Sequence, residues 1–192
     1  MTDPVAVPSP LRRGRLRRLG RLIWNTLAIL GLLLILQILF FDFSVITSNS
    51  MDPTLRGNGS SGGDWLLSEK ITYRLRSPRR WELVQFRNAE GILVAKRVAG
   101  LPGEEVSIQD RHLAINGQPA SVPPSLGFCK YYAYGSLRSG RTASCGRGYF
   151  LLGDDSMDSL DSRFEGPLAP TKIHSRPWLI VWPPSRIGWA NP

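Results

Sequence analysis

The sequence predicts a mostly β protein, with a single N-terminal transmembrane helix followed by an antiparallel β-sheet or barrel-like domain. Three observations predict it. Residues 22–41 form one apolar run of spanning length. Later apolar residues fall in short runs or alternate with polar ones, which is the period of a strand. Nineteen glycines and 15 prolines punctuate those runs. No stretch beyond the anchor keeps a 3.6-residue apolar period, so helices there are expected to be few and short. A chain of 192 residues accommodates one anchor and one domain of about 150 residues with a proper core, whereas two compact domains would be crowded.

Residues 1–21 carry six arginines (Arg12, Arg13, Arg15, Arg17, Arg18 and Arg21) against one acid, Asp3, and so hold +5 of the net charge of +9. Such a cluster can bind nucleic acid. Here it abuts LIWNTLAILGLLLILQILFF, a mostly apolar segment whose length at about 1.5 Å per residue matches a bilayer core of about 30 Å. The expected partner of this end is therefore a lipid bilayer, and no nucleic acid is expected. Arginines before the span and Asp42 after it place 1–21 in the cytoplasm as a basic tail, 22–41 across the membrane, and 42–192 outside. A cleavable secretory signal has a similar layout, but no small-x-small site follows, so an uncleaved signal-anchor is expected.

The segments read as strands are 65–68, 83–86, 92–98, 106–108, 112–115, 149–152 and 179–182. Residues 57–63, Gly-Asn-Gly-Ser-Ser-Gly-Gly, read as a flexible surface loop. Residues 106–118 read as a hairpin closed near Asp110-Arg111, with Asn116-Gly117 making a second turn. Cys129 and Cys145 lie on the side of the membrane where thiols tend to be oxidised, and a disulfide between them is expected; two free thiols or a metal pair are the alternatives. A zinc site would need two more ligands, and neither His112 nor His174 has the spacing.

Two hydroxyls two residues apart, Ser48 and Ser50, stand just outside the span in Thr47-Ser48-Asn49-Ser50-Met51-Asp52-Pro53-Thr54-Leu55. A serine nucleophile needs a base. His112 sits in the expected hairpin and His174 in a polar approach to Pro177, both ordinary surface settings. Of the four lysines, Lys70, Lys96, Lys130 and Lys172, only Lys96 lies in an apolar strand, Ile92-Leu93-Val94-Ala95-Lys96-Arg97-Val98. Burial there would lower its pKa and leave a neutral amine able to take the serine proton. A strand lysine pointing outward is the plain alternative, and spacing alone leaves both open.

With these residues in hand, the chain resembles the bacterial type I signal peptidases, membrane-bound serine-lysine endopeptidases. Their nucleophile segment S-x-S-M-x-P-T-L is present at 48–55, and Gly63-Asp64-Trp65-Leu66-Leu67 with Lys70 follows. Pro78-Arg79-Arg80-Trp81-Glu82-Leu83-Val84-Gln85-Phe86 stands where the family writes P-x-x-G-D-x-V-x-F. The lysine segment reads Lys96-Arg97-Val98-Ala99-Gly100-Leu101-Pro102-Gly103-Glu104, and G-D-N-x-x-x-S-x-D-S-R-x-x-G appears at 153–166.

The resemblance implies that Ser50 is the nucleophile and Lys96 the general base. Ser48 would join the Ser50 backbone N–H in the oxyanion hole, and Ser159 would orient the lysine. It makes Asp161, Arg163 and Asp154 structural supports of the site, with Asp161 and Arg163 expected on one face of a strand at i, i+2. Shallow pockets for small residues at the first and third positions before the cut are implied, with Ile46, Leu55 and Val94 in lining positions, and substrate is expected to add as a β-strand. The implied substrates are secretory preproteins, and the implied location is the bacterial inner membrane with the catalytic domain on its periplasmic side. No cofactor and no metal is expected. Trp178, Trp182 and Trp189 are candidates for the lipid interface, with burial in the β core the other reading for Trp182.

The chain departs from the family pattern at Trp81-Glu82, at Asp155 where asparagine is common, and at Leu160 beside the lysine-orienting serine. Its insertion at 103–149 is short, which implies a reduced second β subdomain. Compact relatives include conjugative-transfer peptidases that mature pilin, so a specialised substrate is the nearest alternative. A membrane-anchored β module that binds without cutting is the alternative from a different class.

Overall fold

The computed structural model describes residues 10–57 and 62–190, with side chains from residue 17 onward. Positions 58–61 of the expected glycine-rich loop lie outside the described residues. The chain forms two compact units, residues 1–39 and 40–192.

In the first unit, helix α1 (Pro10–Phe40) takes in the arginine-rich segment as well as the apolar one. Leucine and arginine are both strong helix formers, so nothing stops the helix at the charge boundary. Its stretch Arg17–Phe40 is long and apolar enough to cross a membrane, and none of it is buried in protein. Thr26 satisfies its hydroxyl within the helix by donating to the Leu22 carbonyl at 2.9 Å.

The second unit runs β1 (Phe41–Val45), β2 (Trp65–Glu69), a short α2 (Thr72–Leu75), β3 (Leu83–Arg87), β4 (Leu93–Gly100), β5 (Glu105–Gln109), β6 (His112–Ile115), β7 (Gln118–Pro119), β8 (Ala143–Ser144), β9 (Phe150–Leu152), α3 (Ser162–Glu165), β10 (Ile173–Trp182) and β11 (Gly188–Trp189), with single 3-10 turns between. The expectation of a mostly antiparallel β protein with one apolar N-terminal helix agrees with this. The larger sheet has the order β1-β2-β10-β3-β4-β9, with β11 added on β10. The smaller has the order β7-β6-β5-β8 and is drawn from within residues 105–144.

Both hairpin turns form where the sequence placed them. Asp110 and Arg111 have φ of 47° and 65°, and Asn116 and Gly117 have 50° and 77°, the left-handed pairs that match the twist of two-residue hairpins. Trp81 also takes a positive φ, 70°, at the position where a glycine was expected. Its ring is buried and its indole N–H donates to the Ser121 carbonyl at 2.9 Å, so burial of a large aromatic offsets the backbone cost. Trp182, in contrast, is 42% exposed rather than part of the core, and it lies in an outward aromatic row with Trp65 and Phe43.

The expected Cys129–Cys145 disulfide is corrected: both are free, buried thiols. Each sulfur has its own surroundings. Cys129 faces Tyr131, Arg97 and Asp154, whereas Cys145 packs where Gly100 leaves room and near Phe150. Burial pushes both thiols up to about 11, which keeps them protonated and unreactive at neutral pH. Neither cysteine should react with a thiol reagent at pH 7 until the chain is denatured, and both should then react without reductant. Absence of free thiol after denaturation would contradict this structure.

Candidate active site

Strand β4 sets the site by alternation. Successive side chains leave a strand on opposite faces, so the adjacent Lys96 and Arg97 diverge. Lys96 pairs across the ladder with Val84 and shares its face with Val94 and Val98. It is 4% exposed. Arg97 turns to the other face, where Nε and Nη2 meet the two Asp154 oxygens at 2.7 and 2.6 Å and Nη1 donates to the Trp81 carbonyl at 2.7 Å.

Ser50 comes to Lys96 on the turn that follows β1. Lys96 Nζ lies 2.6 Å from Ser50 Oγ and 3.1 Å from Ser159 Oγ, and Ser48 Oγ lies 3.2 Å from Ser50 Oγ. Ser159 donates to Asp161 Oδ2 at 2.8 Å. Gly153 permits this convergence, since a Cβ there would collide with Ser159 Oγ and with the Ser50 carbonyl. The same carbonyl accepts the Asp155 backbone N–H at 3.1 Å, and Asp154 also accepts Thr54 Oγ1 at 2.5 Å. The segment carrying Asp154 and Asp155 therefore holds the Ser50 turn from both its ends.

Burial is the main force on the Lys96 amine and lowers its pKa to about 8, with Asp161 acting against that and Arg163 with it. A large share of such lysines is neutral near pH 8. An amine in that state, within hydrogen-bond distance of a serine hydroxyl, can act as a general base.

Asp161 and Arg163 are brought together, but not on a strand as expected. Asp161 is the N-cap of α3, and its side chain accepts the Arg163 backbone N–H at 3.1 Å. The Arg163 guanidinium folds back onto the same carboxylate with Nε and Nη2 each at 2.8 Å. An aspartate followed by a short polar segment is a capping signal, and it overrides the i, i+2 strand reading.

Ser50 and Lys96 line a cleft of about 530 Å³ with Ile46, Val94, Ser159 and Leu160. A second chamber of about 680 Å³ shares Phe86, Asn88, Lys96 and Glu165 with it. Leu55 does not line the cleft. It is fully buried in the core with Met51, Leu66 and Leu83. Leu160 stands 65% exposed on the rim, so it leaves Ser159 free to reach Lys96. Along the cleft, residues 93–96 of β4 pair with β3 on one side only, because β9 pairs from Arg97 onward. Among the described residues this edge has no strand partner. The buried Arg97–Asp154 partnership and the role of Gly153 were not singled out by sequence, although the alternation at Lys96-Arg97 carries the signal for the first. Neither histidine joins the site: His112 lies beside Lys130 and His174 pairs with Asp42 at 2.7 Å. No group of three or more His, Cys, Asp or Glu side chains that could hold a metal gathers among the described residues.

The chain is similar to several known proteins. A probable signal peptidase I-2 of Synechocystis is 33% identical over 155 residues, covering 74% of this chain and 64% of that protein. The chain thus spans somewhat less than two thirds of that relative's length. Signal peptidase I V of Bacillus subtilis is 30% identical over 162 residues, covering 78% of this chain and 92% of that one. A crystal structure of a signal peptidase I from Enterococcus faecalis aligns with a TM-score of 0.41 and 28% identity, over 53% of this chain and 97% of that chain. Residues 19–182 match the family model described as signal peptidase, peptidase S26. That match runs through the Ser50 turn, the Lys96 strand and the Asp154–Arg163 segment, and the chain belongs to the S26 signal peptidase family.

Proposed function

We propose that this chain is a membrane-bound serine endopeptidase that removes N-terminal signal peptides from exported preproteins, with Ser50 as nucleophile and Lys96 as base. The observation that carries the reading is the 2.6 Å approach of a buried lysine amine to a serine hydroxyl at the floor of a cleft. Lys96 takes the Ser50 proton as Oγ attacks the scissile carbonyl. The oxyanion that forms is met by the Ser50 backbone N–H and the Ser48 hydroxyl. The resulting ammonium returns its proton to the leaving amine, which departs as the new N-terminus and leaves an acyl-enzyme on Ser50. Lys96, neutral again, activates the water that hydrolyses the ester.

The unpaired edge at 93–96 supports binding of the substrate as an added strand, which draws affinity from backbone hydrogen bonds and leaves selectivity to the pockets beside Ile46 and Val94. Helix α1 acts as a signal-anchor, with the arginines on the cytoplasmic side and residues 42–192 on the outer side. Tethering puts the cleft where signal segments lie, so a weak recognition of extended backbone suffices.

The depressed Lys96 pKa fixes the pH dependence. Protonation removes the base, so kcat/KM for a preprotein should rise with pH through about 8 and then level. The experiment is cleavage of a detergent-solubilised preprotein with a small-x-small site between pH 5 and 10, followed by mass. A rate already flat across acidic pH would rule out the lysine base.

A further inference from the structure

The Arg163 guanidinium has five N–H groups, and all five meet acceptors. Nε and Nη2 go to Asp161, Nη1 donates to Ser156 Oγ at 2.5 Å and to the Tyr132 carbonyl at 3.0 Å, and Nη2 also donates to the Ser156 carbonyl at 2.9 Å. Two of the five bonds are the Asp161 pair that faces Ser159. The other three come from Ser156, beyond β9, and from Tyr132, in the segment between β7 and β8.

Ser156 is 3% exposed, and its Oγ also accepts the Tyr132 backbone N–H at 2.8 Å. One hydroxyl oxygen thereby ties that segment to the guanidinium. Gly135, at a φ of 56°, lets the same segment lie against the Arg163 carbonyl, where a Cβ would overlap. The Tyr134 ring stacks on Tyr132 and stands 5.8 Å from the guanidinium. Tyr131 and Leu137, at 1% and 0% exposure, pin the segment into the core on either side.

The Asp161 carboxylate is oriented by the guanidinium, which meets both its oxygens at 2.8 Å, together with the backbone N–H groups of Arg163 on Oδ1 and Gly153 on Oδ2, each at 3.1 Å. Its Oδ2 is the oxygen that accepts Ser159, and Ser159 in turn lies on Lys96. Catalytic groups tolerate displacements of only about 0.5 Å, so play at Arg163 reaches the amine. We propose that Ser156, gripped by the Tyr132 backbone, is a positioning residue for Lys96, and that the segment around Tyr132 is part of what aims the base. This rests on the serine-lysine reading given above.

The test uses the full-length chain in detergent with [¹³Cε]-lysine. Four lysines give four resonances, and Lys96 is assigned by its loss in Lys96→Met. Ser156→Ala should lower kcat about tenfold with KM within about twofold, because aim and not binding is lost. It should also move the Lys96 titration midpoint upward from about 8, since a loosened Arg163 no longer offsets Asp161. Ser156→Thr, which keeps the hydroxyl, should restore both. A role in stability alone would lower the melting temperature and leave the midpoint and kcat at wild-type values, which would overturn the proposal. If Ser156→Ala does not fold, Ser156→Cys, with a weaker acceptor, should give intermediate shifts, and wild-type values there would overturn it equally. A wild-type chain that cleaves nothing while Ser156→Ala still moves the Lys96 midpoint would sink the peptidase reading and leave the positioning role standing.

Discussion

Alanine at Ser50 or at Lys96 lowers preprotein cleavage by about 10⁴-fold or more, and the double variant is no worse than either single one. Groups that act as a unit in a hydrolase lose nearly everything when one is removed, and their effects do not add. The geometry gives the reason here. Ser50 Oγ has Lys96 Nζ at 2.6 Å, and the described cleft residues supply no other side chain able to take its proton at neutral pH except carboxylates on the rim. Ser159→Ala should cost less, about 10²-fold, because the base remains and only its orientation suffers. His174→Ala serves as the control: His174 lines the second chamber but is engaged with Asp42, so the rate should hold. The measurement is initial rate by mass on purified full-length chain, with circular dichroism to show that each variant is folded. A Lys96→Ala variant within tenfold of wild type would move the base elsewhere.

How much of this was legible in the sequence depends on the range of the interaction. Strands β2 to β6, β9 and the end of β10 were readable because alternation and glycine or proline breaks are local, and the two hairpins because Asp110-Arg111 and Asn116-Gly117 suit left-handed turns, whereas β1, which follows directly on the apolar helix, was not. The residues themselves drew attention to Ser50 and to Lys96 in its apolar strand, while the family resemblance decided their roles and added Ser159; the fold brings the three together from separate segments. What escaped notice was tertiary. Whether Lys96 points inward depends on which face of β4 is covered, and alternation alone is silent on that. Asp161 and Arg163 were expected as strand partners, and a cap forms instead because the Arg163 backbone N–H finds the carboxylate two residues earlier. Leu55 looked like a pocket residue by analogy, yet it lies in the core beneath the Ser50 turn. The cysteines share a segment but occupy different surroundings, which no spacing rule detects.

Asp154→Ala should destabilise the β unit by about 3–5 kcal/mol, the cost of removing one partner from a fully buried ion pair. Both side chains of the Arg97–Asp154 pair are 0% exposed. The guanidinium meets the carboxylate at two points, and Thr54 joins the same Oδ2. Without the carboxylate, a buried positive charge keeps its desolvation penalty and loses the anion that balanced it. Against a typical total of about 5–15 kcal/mol, that is a large fraction. Asp154→Asn should fall between, since it keeps an acceptor for Arg97 but not the charge. The control is Arg56→Gln at the exposed Arg56–Asp52 pair, whose side chains are 55% and 45% exposed and whose loss should cost under about 1 kcal/mol. Activity should fall beyond what unfolding explains, because Asp154 neighbours both Gly153, against which Ser159 packs, and Asp155, whose N–H holds the Ser50 carbonyl. Urea unfolding of the full-length variants, with cleavage measured on the folded fraction, separates the two effects. An Asp154→Ala variant as stable as Arg56→Gln would show that Arg97 is adequately held by the Trp81 carbonyl and the Thr54 hydroxyl, and that the ion pair is not what fixes the Ser50 turn against the Lys96 strand.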